Sequence, residues 1–289
     1  MQAFQPDGRC GRAFRVGSTE SIGKLPSVSR IADRFAHLAA SNEKALVCFV
    51  TGGDPDVGQL PAILEDLEAG GADIIEVGIP FSDPIADGPT IQESSQRALD
   101  RGTKVSEIFE AVKSANITVP IVYMGYTNTA MRHGFQRFAQ EVADSGADGV
   151  LLSDLTPEEA EEWKQHAHAA GLDTIFLAAP TSTDDRLRCA CGAATGFVYC
   201  VSRTGVTGSE REVPREVTDL VARVRKVTSL PICVGFGISN EDHVRMVCGV
   251  ADGAVVGSHV VKLIHECWGR PHCEETLRAE VARLKSGTR

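Results

Sequence analysis

Eight short runs rich in β-branched residues recur along the chain and constrain its fold more than any other feature. They are ALVCFV (45–50), DIIEVGI (73–79), PIVYMGY (120–126), GVLLSD (149–154), TIFLAA (174–179), GFVYCVS (196–202), PICVGFG (231–237) and GAVVGS (253–258). Most are apolar on both faces, the pattern of parallel strands covered by helices. Between them lie amphipathic stretches such as QLPAILEDLEAGG and PEEAEEWKQHAHAAG, acidic early and closed by Gly, as helices prefer. The segments GGADIIEVG, SGADGVLLS and VADGAVVGS each read as helix end, Ala-Asp, strand, so one supersecondary unit is used repeatedly. Eight such units in about 250 residues predict an α/β chain folded as a (β/α)8 TIM barrel. A doubly wound open sheet is the alternative. It would more often carry a G-x-G-x-x-G turn after its first strand, which is missing here. Extra helices are expected to flank the barrel, one over 29–45 plugging its bottom and one over 273–287 closing the outer ring.

At 289 residues, 43% of them hydrophobic, the chain can bury a sizeable core. We expect one catalytic barrel domain over 28–289, preceded by a disordered polar tail over 1–27. That tail lacks the apolar run of a secretory signal, so the protein is expected in the cytoplasm, or in a plastid if the tail is a transit remnant. No apolar stretch approaches the roughly 20 residues of a membrane helix. The formal net charge of −10 offers no basic face for nucleic acid. An anionic ligand stays possible, because amides at helix N-termini bind phosphate without any cationic side chain. The nine Cys are odd in number and several sit in strand-like runs, which suits buried thiols better than a disulfide framework. Cys189 and Cys191 form a C-x-C with no matching Cys/His pair nearby in sequence, so no metal site is expected.

Barrels of this kind place their chemistry at the C-terminal ends of the strands. That rule selects Thr51, Asp54, Glu76, Asp83, Asp87, Tyr126, Asn128, Asp154, Thr181, Ser182 and Tyr199. The last three strands end in Gly-rich turns, TGVTG to Gly208, VGFGIS with Gly235 and Gly237, and VVGS with Gly257 and Ser258. Gly lets a backbone approach a ligand closely, and each turn precedes a predicted helix with free N–H groups, so together they suggest a phosphate site. Glu76 stands among Val, Ile and Gly. Desolvation there disfavours its charged form and suits it to proton transfer near neutral pH. The alternative is an ion pair with a barrel Lys or Arg. Asp87 alone reads as turn chemistry as readily as function, and Asp83 as a turn or helix cap.

Taken together, FVTGGDP (49–55), EVGIPFSDPIADGPTIQ (76–92), GFVYCVSRTGVTG (196–208), VGFGIS (234–239) and ADGAVVGSHVVK (251–262) resemble the tryptophan synthase α subunit family in order and spacing. The resemblance covers roughly residues 30 to 265. It implies a lyase that splits indole-3-glycerol phosphate into indole and glyceraldehyde 3-phosphate by a retro-aldol reaction. The family's catalytic Glu falls on Glu76, its catalytic Asp on Asp87 and its site Tyr on Tyr199. Its phosphate-binding positions fall on Gly208, Gly237, Gly257 and Ser258, with Gly235 beside them. Phe49 and Phe236 match aromatic positions of the indole pocket, and Thr207 a loop Thr that meets the catalytic Asp on closure. No cofactor is implied in this chain; pyridoxal phosphate is implied only in a β-subunit partner of an α2β2 assembly.

Several positions depart from the family. Thr129 and Thr156 stand where Pro is usual, as does Ser153, and His133 replaces a common aromatic. In the family these segments lie near the surface that meets the β subunit. Two readings follow: an α subunit passing indole to a β partner, or a standalone lyase releasing free indole for secondary metabolism. A different phosphate-sugar enzyme and a non-catalytic regulatory subunit are further alternatives. The polar stretch 202–216 reads as a lid or as an ordinary mobile loop. His259 and Lys262 follow the last Gly turn and are suited equally to phosphate or to solvent.

Overall fold

Each of the eight apolar runs forms a strand: β1 Ala45–Thr51, β2 Ile74–Gly78, β3 Ile121–Gly125, β4 Gly149–Leu152, β5 Asp173–Ala178, β6 Val198–Val201, β7 Ile232–Gly235 and β8 Gly253–Val256. The structure, a computed structural model, describes residues 29–201, 214–235 and 237–289. The expected tail over 1–27 and most of the 202–216 stretch lie outside the described residues. All strands pair in parallel in chain order, and β8 returns to β1. That closure separates a barrel from the open-sheet alternative. The helices among the described residues are α1 Arg30–Ala40, α2 Leu60–Gly70, α3 Pro89–Asp100, α4 Val105–Ser114, α5 Thr127–His133, α6 Phe135–Asp144, α7 Glu161–Ala169, α8 Asp184–Ala193, α9 Arg215–Arg225, α10 Glu241–Cys248, α11 Ser258–Cys267 and α12 Cys273–Ser286.

Strand side chains alternate, so each strand feeds two cores. Inward residues such as Val47, Ile74, Val122, Leu151, Ile175 and Val255 fill the barrel. Outward ones such as Leu46, Val50, Ile75 and Val77 pack beneath the helices. Helix α1 joins the inner core through Ile31, Phe35 and Leu38, which its pitch stacks on one face. The Ser29 side chain caps its first turn by accepting from Ala32 N at 3.1 Å. Ile31 reaches Gly149 and Gly196, at the starts of β4 and β6, and the Phe35 and Phe197 rings lie 6.1 Å apart. The bottom of the barrel is therefore closed by α1, as its position in sequence predicts.

The Ala-Asp repeat has a specific structural meaning. Asp73 accepts from Leu46 N at 2.7 Å, Asp148 from Ile121 N at 2.8 Å and Asp252 from Ile232 N at 3.0 Å. Each Asp, at the start of one strand, satisfies an N–H at the start of the strand before it. Each also holds a cation, Arg34 and Lys285 on Asp73, Arg30 on Asp148 and Arg225 on Asp252. The pattern ties the strand starts to α1, α9 and α12.

One expectation is corrected. Cys267 and Cys273 form a disulfide between the end of α11 and the start of α12. Their Cα atoms lie 5.2 Å apart, within the span a bridge needs, because the short connection turns one helix back beside the other. Cys48, Cys200 and Cys233 are buried thiols, as the strand runs predict.

Candidate active site

Glu76 is the third residue of β2 and faces the barrel interior, in register with Phe49 of β1 and Val122 of β3. It is 2% exposed, and its Oε1 has no hydrogen-bond partner among the described residues. Burial pushes the carboxyl up to about 8, and the negative charge of Asp87 adds to the rise. The ion pair that sequence left open is not formed among the described residues.

Asp87 sits in the loop between β2 and α3. Its N–H donates to Pro84 O at 3.0 Å, while Gln92 Nε2 donates to Pro84 O at 3.2 Å and to Asp87 O at 2.9 Å. The loop is thus folded onto the first turn of α3. The Asp87 carboxylate accepts from Tyr126 Oη at 3.1 Å, and the same phenol accepts from Ala86 N at 3.0 Å. Phe81 stacks on Tyr126 with ring centroids 4.8 Å apart. Burial pushes Asp87 up to about 6, against the pull of the Tyr126 hydrogen bond. Asp83 is exposed and accepts from its neighbour Ser82 at 2.6 Å, in keeping with a turn role.

Both carboxyls open on one cavity of about 470 Å3 at the C-terminal ends of the strands. Phe49, Met124, Leu151 and Leu177 give it an apolar wall. Tyr199 lines it too, on β6, which lies opposite β2 in an eight-stranded ring. Burial holds the Tyr199 phenol well above its ordinary range, and Glu76 is the next cause, so the phenol stays neutral. The structure brings together Phe49, Glu76, Asp87, Tyr199, Gly235, Gly237, Gly257 and Ser258 around this cavity. Thr207, Gly208 and Phe236 lie outside the described residues.

The glycines at this end have different physical reasons. A Cβ at Gly235 would stand 2.5 Å from Tyr199 Oη, so Gly235 makes room for that ring. Gly237 has φ of +51°, the left-handed region that favours glycine. Gly257 is the N-cap of α11, whose first N–H groups have no partner within the helix. Ser239 and Ser258 bring the starts of α10 and α11 to the same end of the cavity.

Helix α12 braces that end. His259 Nε2 lies 2.6 Å from Glu280 Oε1, Arg283 donates to Glu280 at 2.5 and 2.8 Å, and Arg283 also meets Glu241 at the start of α10. His259 therefore lines the cavity with one ring nitrogen engaged by α12. Lys262 lines it one turn later, with Nζ 3.7 Å from Glu266.

Other strand-end candidates are engaged in structure. Asp54 holds Arg97 through two bonds of 3.0 and 2.6 Å, Thr51 pairs with Ser94 at 2.6 Å, and Asp154 accepts from Thr127 N and Oγ1, both at 2.7 Å. Thr129, where the family has Pro, lies in α5 and accepts at its carbonyl from His133 at 2.9 Å. Thr156 donates to Glu159 at 3.0 Å. Two residues gain importance that sequence did not give them. Tyr126 stands at a strand end but is 39 residues from the Asp it holds, and no local pattern signals that pairing. Ser153 lines the cavity with its hydroxyl buried and without a partner among the described residues.

Comparison with known proteins agrees with the fold. The family described as tryptophan synthase alpha chain matches residues 35–289. The tryptophan synthase alpha chain of Geotalea uraniireducens is 49% identical over 264 residues, covering 91% of this chain and 98% of its own. That of Geobacter sulfurreducens is 51% identical over 238 residues, covering 82% and 90%. Among solved structures, a Mycobacterium tuberculosis tryptophan synthase chain superposes with a TM-score of 0.84 at 37% identity, covering 91% of this chain and 99% of that one. The Legionella pneumophila tryptophan synthase subunit alpha gives 0.83 at 30% identity, with coverage of 91% and 99%.

Proposed function

The chain belongs to the tryptophan synthase α-chain family, and we propose that Glu76 and Asp87 carry out that family's reaction in the cavity they share. The reaction is the cleavage of indole-3-glycerol phosphate to indole and glyceraldehyde 3-phosphate. The chain is the carbon–carbon lyase of that step and the α subunit of tryptophan biosynthesis. The standalone reading is not favoured, because the relatives are α chains along nearly their whole length.

Cleavage needs a proton at C3 of the indole ring, so that the ring leaves as a neutral molecule. Glu76, protonated near neutral pH, donates that proton. The ring nitrogen becomes positive, and the Asp87 carboxylate accepts its N–H and stabilises the charge. The bond from C3 to the glycerol carbon then breaks, its electrons return to the ring, and the ionised Glu76 takes the proton of the adjacent hydroxyl as the aldehyde forms. One proton passes from oxygen to C3, and Glu76 ends as it began. Tyr199, neutral and opposite, holds the ring in place. Phe49 lines the apolar wall, and the family resemblance assigns Phe236 to the same pocket. Gly237, Gly257 and Ser258 form the phosphate end, with Gly235 beside them; the family resemblance assigns Gly208 to the phosphate and Thr207 to the catalytic Asp.

The observation that carries this reading is two carboxyls, both raised by burial, opening on one cavity whose other end is made of helix N-termini. Glu76→Gln and Asp87→Asn are each expected to lower indole release by about 10²–10⁴-fold while the far-ultraviolet circular dichroism is unchanged. Substantial activity in either variant overturns the assigned role.

Membership in the family implies a β-subunit partner. We propose an α2β2 assembly in which that partner, and not this chain, holds pyridoxal phosphate. A cognate β subunit added to the lyase assay is expected to raise indole formation. Full activity without it would favour the standalone enzyme. The relatives compared are bacterial, which supports a cytoplasmic location and lends nothing to a plastid one. No helix among the described residues is long and apolar enough to cross a membrane.

A further inference from the structure

Among the described residues, two buried side-chain oxygens without a hydrogen-bond partner belong to residues that line the cavity. One is Glu76 Oε1, which the proposed reaction uses. The other is Ser153 Oγ, which it does not. Ser153 follows β4 directly, and its N–H donates to Gly125 O at 2.9 Å, so the backbone is fixed by the adjoining strand. Strand alternation turns its side chain inward above Leu151. Met124 and Leu177, also in the cavity wall, are the inward residues of the flanking strands β3 and β5; Leu177 has no polar side-chain atom, and the Met124 thioether is only a weak acceptor. A buried hydroxyl left without a partner is unfavourable, so a ligand that supplies one gains from it.

The barrel order decides which part of the ligand that is. In a closed ring of eight strands β4 stands opposite β8. The helix start that forms the phosphate end follows β8 at Gly257. A substrate with its phosphate there, its glycerol chain in the middle and its ring beyond directs the six-membered edge of the indole toward β4. We propose that the Ser153 hydroxyl contacts this edge and sets specificity there, favouring indoles that carry a hydrogen-bonding substituent on the six-membered ring over apolar ones of the same size. The proposal rests on the lyase reading and extends it from indole to a class of ring-hydroxylated indoles.

The reaction run backwards tests it. Full-length wild type, Ser153→Ala and Ser153→Cys are assayed for condensation of glyceraldehyde 3-phosphate with indole, and with indoles bearing a hydroxyl or a methyl group at each carbon of the six-membered ring in turn. For at least one position, the wild-type ratio of kcat/KM for hydroxyl over methyl is expected to exceed the Ser153→Ala ratio by about 10-fold. Ser153→Cys keeps the shape and weakens the hydrogen bond, and is expected to follow Ser153→Ala; it decides the matter alone if the Ala variant does not fold. Equal ratios in wild type and variants at every position overturn the proposal and leave the lyase reading standing. A wild type that condenses no indole at all overturns both.

Discussion

A carboxyl in the middle of a five-residue buried strand keeps its proton because ionising it there means stripping it of water. Glu76 is raised to about 8 and Asp87 to about 6, both chiefly by burial. The proposed reaction uses Glu76 protonated and Asp87 ionised. The pH profile of kcat/KM is therefore expected to be a bell, rising as Asp87 loses its proton near 6 and falling as Glu76 loses its own near 8. Because the Asp87 charge adds to the Glu76 rise, the residual activity of Asp87→Asn should lose its basic limb at lower pH than wild type; a basic limb that stays put would refute the coupling. On the same reading Tyr126 is a positioning residue that acts through Asp87. Its hydrogen bond lowers the Asp87 value, so Tyr126→Phe should move the acidic limb to higher pH and lower kcat by about 10-fold. A purely structural phenol would leave the limb where it was. The sequence made Glu76 legible because an acid inside an apolar run is anomalous. Tyr126 was legible only as a strand-end residue, since its partner arrives from a loop far away along the chain.

The strands and their helices were legible element by element. Apolar runs on both faces, acidic helix starts and closing glycines are local signals, and the fold obeys them. The meaning of the Ala-Asp repeat was not legible. Its Asp side chains reach across to a neighbouring strand, and only the parallel register shows which N–H they meet. The Gly235 position had the same difficulty: that a side chain there would meet the Tyr199 ring shows only in the folded barrel. Helix α1 is the element whose role is most easily tested. Phe35 is 8% exposed and meets Phe197 inside the barrel. Phe35→Ala is expected to destabilise the fold by about 3–5 kcal/mol in urea unfolding. A loss below about 1 kcal/mol would mean that α1 is not part of the core.

At the scale of the whole molecule, we propose that the barrel from residue 28 onward folds as one unit. The β1–β8 ladder makes each end of the sheet depend on the other, so partial unfolding opens the ring. Urea melts followed by circular dichroism and by Trp fluorescence are expected to coincide in one transition; two separated midpoints would show independent parts. The closed topology was legible as a count of eight, since no smaller open arrangement uses so many βα units so evenly. The partner was legible only through family resemblance, because a docking surface leaves no periodic trace in a sequence. The plug formed by Ile31, Phe35 and Leu38 has one more consequence. Among the described residues that plug stops the barrel at its floor, so the cavity opens at the opposite rim. On the proposed reading substrate and both products share that rim, and their passage across it has to be ordered in time.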